Sequence, residues 1–209
     1  MFISLILLGA LQSQPELFIS TKNTADPNIG SNHRNIQERA VDIDWEVLRN
    51  SPSSITLNLF ENLNLTANFV SLSPSANGGL LWRGTVEGYV DSKVLITFRE
   101  STAMGTIRFD HETVQLEYAG NDVHRILLAD HSQWPCCGTG LSHTIAIEAD
   151  GEVGVQAGNP EITVMVIYTT EAKSSVGSTA AMENKIDLAV VETNDSFADS
   201  GLGHRIELV

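Results

Sequence analysis

From Ser53 to Ala129 the chain repeats one kind of segment, and that repetition limits what it can fold into. The runs "SITLNLF", "NLTANFVSL", "LLWRGTVEGYV", "KVLITFRE", "MGTIRFD", "TVQLEY" and "VHRILLA" follow one another. Their spacing is about ten residues, and apolar and polar side chains alternate within them, as in strands with one face buried. Turn-forming residues separate them: Asn77-Gly78-Gly79, Asp91-Ser92, Asp110-His111 and Gly120-Asn121-Asp122. Such a series predicts an antiparallel β-sandwich, or else a strongly bent meander, over residues 53–131.

The flanking segments read differently. Residues 14–52 are polar and turn-rich, and predict a flexible lead-in with a short helix around Ile36 to Leu48. Residues 132–160 are glycine-rich and read as a linker, with a loose strand at Thr144 to Glu148. After Pro160, "ITVMVIY" (Ile162 to Tyr168) is an almost unbroken apolar run, the pattern of a strand buried on both faces. Ser178 is placed to cap a helix reaching about Ala198, with Met182, Ile186, Ala189, Val190 and Phe197 on one face and Gly201 as the C-terminal stop. "RIELV" then begins a strand. Strand, helix and strand make the first βαβ unit of an α/β domain over 161–209, and one such unit does not close a core. The fold class expected for the whole chain is therefore α+β.

Of 209 residues, 42 % are hydrophobic and 18 % charged, the balance of a folded protein. Twelve Lys and Arg stand against 26 Asp and Glu, a formal charge of −14. That field repels phosphate backbones and anionic lipid, which argues against nucleic acid or a membrane surface as partner. Residues 1–13 have the shape of a secretory signal: Phe2 to Leu11 is apolar and too short to span a bilayer, and small and polar residues follow. No Lys or Arg precedes the run, so a buried N-terminal strand or a misassigned start codon is the competing reading. Cys136 and Cys137 are adjacent and are the only cysteines. Neighbouring cysteines bond to each other only through a strained ring, so each is free, holds a metal or pairs elsewhere.

The chemistry-bearing motifs are near-misses. "HETVQ" (His111 to Gln115) has the spacing of H-E-x-x-H with glutamine in the second histidine position. It also falls in an alternating run, where residues four apart are separated by about 13 Å, too far to share an ion. His124, His131, Cys136, Cys137 and His143 are potential zinc ligands, but their spacing fits no finger or ribbon, and solvated histidines are the plainer reading. Gly201-Leu202-Gly203 follows a helix and lacks the third glycine of a nucleotide loop. Glu171, Glu183, Asp187 and Glu192 read as a solvated helix face and its approach. Asn64 and Asn194 begin glycosylation sequons.

The segment from Ile162 to Val209 carries a resemblance. Val166-Ile167-Tyr168-Thr169 ends the apolar run, Ala189-Val190-Val191-Glu192-Thr193-Asn194 lies in the helix, and Ser200-Gly201 leads into the next strand. In that order these phrases resemble the opening of the catalytic domain of reprolysin-like zinc metalloendopeptidases of the metzincin clan, especially secreted bacterial forms related to peptidyl-Asp metalloendopeptidase. "ITLNLFENLNLTANF" and "LLWRGTVEGYVDSKVLITF" resemble, more loosely, the β-rich propeptide of the same proteins.

The resemblance implies a secreted zymogen, made of a propeptide over 53–131 and the start of a metzincin-type catalytic domain over 161–209. The propeptide would pack on its own catalytic domain, and the full-length enzyme would act on a peptide or protein substrate through zinc-activated water. The family's H-E-x-x-H-x-x-G-x-x-H is not among these 209 residues, so no catalytic or zinc residue is carried over, and the chain itself is expected to bind no zinc and to cleave nothing. "WPCCG" (Trp134 to Gly138) lies where an inhibitory cysteine switch would sit, with Cys136 or Cys137 as the zinc-ligating thiolate, although it departs from the usual switch motifs. A disulfide to a cysteine elsewhere, or incidental thiols, compete with that reading. Two other classes stand beside it. One is a non-enzymatic exported β-sandwich binding module or propeptide-like protease inhibitor. The other is a small α/β domain that completes its sheet by dimerising.

Overall fold

The computed structural model describes residues 13–21, 35–133 and 161–209. Strands β3 (Ser54–Phe60), β4 (Leu63–Pro74), β5 (Leu80–Val86), β6 (Lys93–Arg99), β7 (Thr102–Phe109), β8 (Glu112–Gly120) and β9 (Val123–Ala129) match the runs legible in the sequence. Each pairs antiparallel with the next. Their turns explain why. Asn121 and Asp122 both have positive φ, 52° and 61°, as a two-residue type I′ hairpin requires. Asp110 (φ 52°) and Glu100 (φ 55°) enter the left-handed region in the other tight turns.

Of the two architectures the alternation allowed, the sandwich is not what forms, and the strongly bent meander is. There is one nine-stranded antiparallel sheet, in the order β1-β2-β9-β8-β7-β6-β5-β4-β3, where β1 is Phe18–Ser20 and β2 is Asn35–Ile43. A sandwich needs strands that cross between sheets. Unbroken hairpins from β3 to β9 keep every strand beside its sequence neighbour, so the sheet coils until its edges meet. They meet at Thr56: its N–H donates to Pro15 O at 2.8 Å, and its carbonyl accepts the Leu17 N–H at 2.9 Å. Asn58 extends the seam with its side chain. Its Oδ1 accepts the Phe18 N–H at 3.0 Å, and its Nδ2 donates to the Phe18 carbonyl. An amide side chain thus stands in for a strand's backbone.

The lead-in is also corrected. Residues expected to be a helix from Ile36 to Leu48 form β2 as far as Ile43, and only then helix α1 (Trp45–Asn50). Val41 and Ile43 alternate into the interior, and β2 closes the gap between β1 and β9. Tertiary pairing overrides an ambiguous local pattern. Asp44 caps α1, its Oδ1 accepting the N–H groups of Glu46 and Val47 at 3.0 and 3.2 Å. The helix turns Val47 and Leu48 into the barrel's core.

That core takes alternate residues from nearly every strand, among them Phe18, Leu57, Trp82, Ile96, Ile107, Leu116 and Ile126. Gly84 is required there. A Cβ at this position would strike the Trp82 ring and the Asn68 carbonyl. At the end covered by α1 sits His124, fully buried, edge-on to Trp45 (5.6 Å) and Tyr118 (5.3 Å). Its Nε2 accepts the Ala103 N–H at 3.0 Å.

The remaining described residues form helix α2 (Thr170–Val176), helix α3 (Thr179–Asp199) and two short strands, β10 (Glu161–Val164) and β11 (Arg205–Leu208), paired in parallel. Ser178 caps α3 as expected, its Oγ accepting the Ala181 N–H at 3.0 Å, and Gly201 (φ 71°) follows the helix end. The apolar run from Ile162 to Tyr168 is not a strand buried on both faces. Only its first part pairs, and Met165 and Ile167 are exposed, because β10 has β11 as its single neighbour among the described residues.

Burial holds the His124 imidazole down to a pKa of about 4, against an ordinary 6.5, with the charge and backbone of Asp122 opposing the shift. The folded state therefore binds fewer protons than the unfolded one. This contribution is fully present above pH 6.5, falls by about 1.4 kcal/mol per pH unit below it, and is spent near pH 4, about 3 kcal/mol in all. Urea unfolding of the wild type between pH 7 and 4 is expected to show that loss. His124→Gln keeps an acceptor for Ala103, and is expected to remove most of the pH slope between 6.5 and 5.

Candidate functional site

Among the described residues, those with potential chemistry do not gather in one place. His111 is fully exposed in the turn between β7 and β8, and Gln115 lies on strand β8, as the alternation implied. His124 is fully buried at the α1 end of the barrel, with its Nε2 taken up by the Ala103 N–H. His131 is in a single 3-10 turn (His131–Gln133) after β9. Cys136, Cys137, His143 and the strand expected at Thr144 to Glu148 lie outside the described residues. Among the described residues, no group of three or more His, Cys, Asp or Glu is arranged to hold a metal ion. Glu171 stands exposed in the first turn of α2, where its own N–H and the Thr169 hydroxyl hold its carboxyl below the usual range. A groove of about 510 Å³ beside the barrel seam is lined by Glu38, Phe60, Glu61 and Leu63, without a nucleophile and base in contact.

What the fold does assemble is an interface. Strand β6 is buried on both sides: Val94, Ile96 and Phe98 point into the barrel, while Leu95 and Thr97 point outward and are equally covered. The cover is α3, which lies across β6 and β7. Leu95 and Met104 pack with Ala181 and Leu188, and Tyr118, Val176 and Val191 flank them.

Around this small apolar patch the contacts are polar and specific. Asn184, 1 % exposed, donates from Nδ2 to the Thr102 carbonyl and hydroxyl at 3.0 and 2.9 Å, and its own carbonyl accepts the Thr97 hydroxyl at 2.8 Å. The β4–β5 hairpin reaches over the helix at Asn77. The Asn77 N–H and Nδ2 donate to Asp187, Nδ2 at 2.8 Å, and Asp187 is itself 2 % exposed. Arg99 joins the two sides, donating to the Asn77 carbonyl at 2.8 Å and pairing with Glu183. Gly79 leaves room for this arrangement. A Cβ there would lie 2.9 Å from Phe98 O and 3.3 Å from Asn184 Oδ1.

The far half of α3 is held by charge. Arg83 donates to Asp195 at 2.8 Å, Lys93 to Asp199 at 2.6 Å, and Arg108 to Glu192 at 3.2 Å. Lys93 and Arg108 are directly opposite one another on adjacent strands. Two cations in that position repel. The acidic helix above them relieves the repulsion, and that explains why the pair occurs. The reading of Glu183, Asp187 and Glu192 as a solvated face is thereby overturned: they are the docking face. Of the apolar face read from the sequence, Met182 is buried and Ala189 borders the barrel beside Met104 and Gln115, but Ile186, Val190 and Phe197 lie outside the packed patch, because hydrophobic periodicity is blind to a face whose burial is satisfied by hydrogen bonds and ion pairs. Two signals in the sequence pointed to it. One is apolar Leu95 and Met104 at outward positions of alternating strands, and the other is the spacing of carboxylates along the helix.

On its other side α3 carries β11. Asn194 Oδ1 accepts the Ile206 N–H at 2.7 Å, and its Nδ2 donates to the Ile206 carbonyl at 2.9 Å. Both amide atoms of this sequon are committed to the strand, whereas Asn64 is exposed on β4.

Compared with family models, with curated proteins and with solved structures, the chain matches none.

Asp187→Ala would leave the half-buried Asn77 N–H and Nδ2 groups without their acceptor, at a cost of about 1 kcal/mol or somewhat more. Hydrogen exchange is expected to speed up along α3 by one to two orders of magnitude, while the amides of β8 and β9 stay protected. Equal acceleration in both places would mean that the contact supports the whole fold and not the docking of the helix.

Proposed function

We propose that the barrel is the propeptide of a secreted zinc-dependent metalloendopeptidase, and that residues 161–209 open its catalytic domain. The observation that carries this reading is the docking of α3. A barrel whose core, among the described residues, is built from the segment before β1, strands β1 to β9 and helix α1 grips the first long helix of a following αβ unit through a dedicated polar face. That is the arrangement expected of a folding template, which holds the first helix of its client in place while later strands add to β10 and β11. The exposed apolar residues Ile162, Met165, Val166 and Ile167 fit a unit that later elements cover. The phrases Val166 to Thr169 and Ala189 to Asn194 supply the family resemblance.

In this reading the proteolysis belongs to the full-length protein, with zinc held by residues other than those described, and this chain positions without catalysing. Cys136 and Cys137 remain candidates for an inhibitory zinc ligand. A second reading, a barrel acting in trans as a protease inhibitor, draws support from the completeness of the barrel's core.

The test is to read the coding DNA past codon 209 in all three frames. The expected result is H-E-x-x-H-x-x-G-x-x-H followed by a Met-turn within one domain's length. A stop with no such motif in any frame would overturn the proposal and leave the inhibitor or binding module in its place.

A further inference from the structure

The outer face of β5, β6 and β7 has the makings of a receptor. Arg83, Lys93, Arg99 and Arg108 are four of the twelve basic residues in a chain of charge −14, and all four project from these three strands onto one helix. Their partners are spaced along α3 at Glu183, Glu192, Asp195 and Asp199. Between them Asn184 and Asp187 make buried hydrogen bonds to Thr102 and Asn77 that fix the helix register. Charge complementarity sets which partner is accepted and how fast it arrives, while the buried polar pairs set its position.

We propose that this face binds α3 as a separable ligand, and that the barrel stays bound to residues 161–209, through charge, after the chain joining them is cut. The partner it recognises is an acidic amphipathic helix with carboxylates on both flanks of an Asn and Leu centre. Because the apolar contact is confined to Leu95, Met104, Ala181 and Leu188 with their flanking residues, retention depends on ionic strength. The complex is tight in dilute buffer and is released as screening shortens the reach of the ion pairs from about 10 Å at 0.1 M salt to about 3 Å at 1 M. Release of a cleaved propeptide would then need no second cut, only a change in salt. The proposal takes its biological setting from the propeptide reading.

The experiment uses the full chain with a site for a sequence-specific protease inserted between Gln133 and Glu161. After complete cleavage, the two pieces are expected to co-elute on size exclusion at 50 mM NaCl and to separate at 1 M, with the apparent Kd rising at least tenfold. Arg83→Glu with Lys93→Glu is expected to abolish co-elution at low salt, and Asp195→Lys with Asp199→Lys in the same chain to restore it. Restoration excludes simple misfolding, which a second set of changes would not repair. Separation at 50 mM NaCl in the wild type, or co-elution indifferent to salt and to charge reversal, would overturn the receptor. Neither result bears on whether a zinc motif lies downstream, so failure here and failure of the protease reading are told apart.

Discussion

A sheet edge taken out of water must pair its backbone groups, and in this protein the sheet satisfies that requirement by meeting itself. The closure at Thr56 and Asn58 is small, two backbone hydrogen bonds, one amide side chain and the Arg39 guanidinium on the Asn58 and Leu59 carbonyls, yet the rest of the molecule follows from it. Once the sheet is closed, one face of every strand is committed to an interior core. Helix α1 with Trp45 covers one end, and the only way left to bury β6 further is from outside.

The outside is where the chain departs from an ordinary barrel. Leu95 and Met104 give α3 an apolar seat, but the seat is too small to hold a helix alone, and the surrounding contacts are hydrogen bonds and ion pairs. Exposed ion pairs of this kind contribute little each, about 0–1 kcal/mol. Four of them together select the helix, while the Asn184 and Asp187 hydrogen bonds fix its register. The opposed cations Lys93 and Arg108 would weaken the bare barrel face and favour the docked state over the free one. Binding and barrel stability are thereby coupled through the same side chains.

The 161–209 unit is organised from its helix outward. Helix α3 faces the barrel with one side and holds β11 with Asn194 on another, and β11 pairs with β10. A chain of contacts thus runs from the β4–β5 hairpin at Asn77 through Asp187 and the helix to Asn194 and the parallel strand pair. Loosening it at Asp187 removes the support on which the strand pair rests.

The sequence by itself determined the strands and their turns. Alternation set β3 to β9, Asn121-Asp122 set a tight hairpin, and Ser178 and Gly201 bounded α3, because periodicity, capping and left-handed turns are local properties of a few adjacent residues. It did not determine whether those strands make two sheets or one closed sheet, since both bury alternate side chains. Nor did it show that Asn35–Ile43 is a strand, because only β9 and β1 on either side make it one. The docking face of α3 was the least legible. Glu183, Asp187 and Glu192 read as solvent-facing because a carboxylate's ordinary partner is water, and Asn77, Arg99 and Arg108, which replace that water, lie far away in sequence. Burial of charge is a property of the pair, and only the tertiary structure brings the pair together.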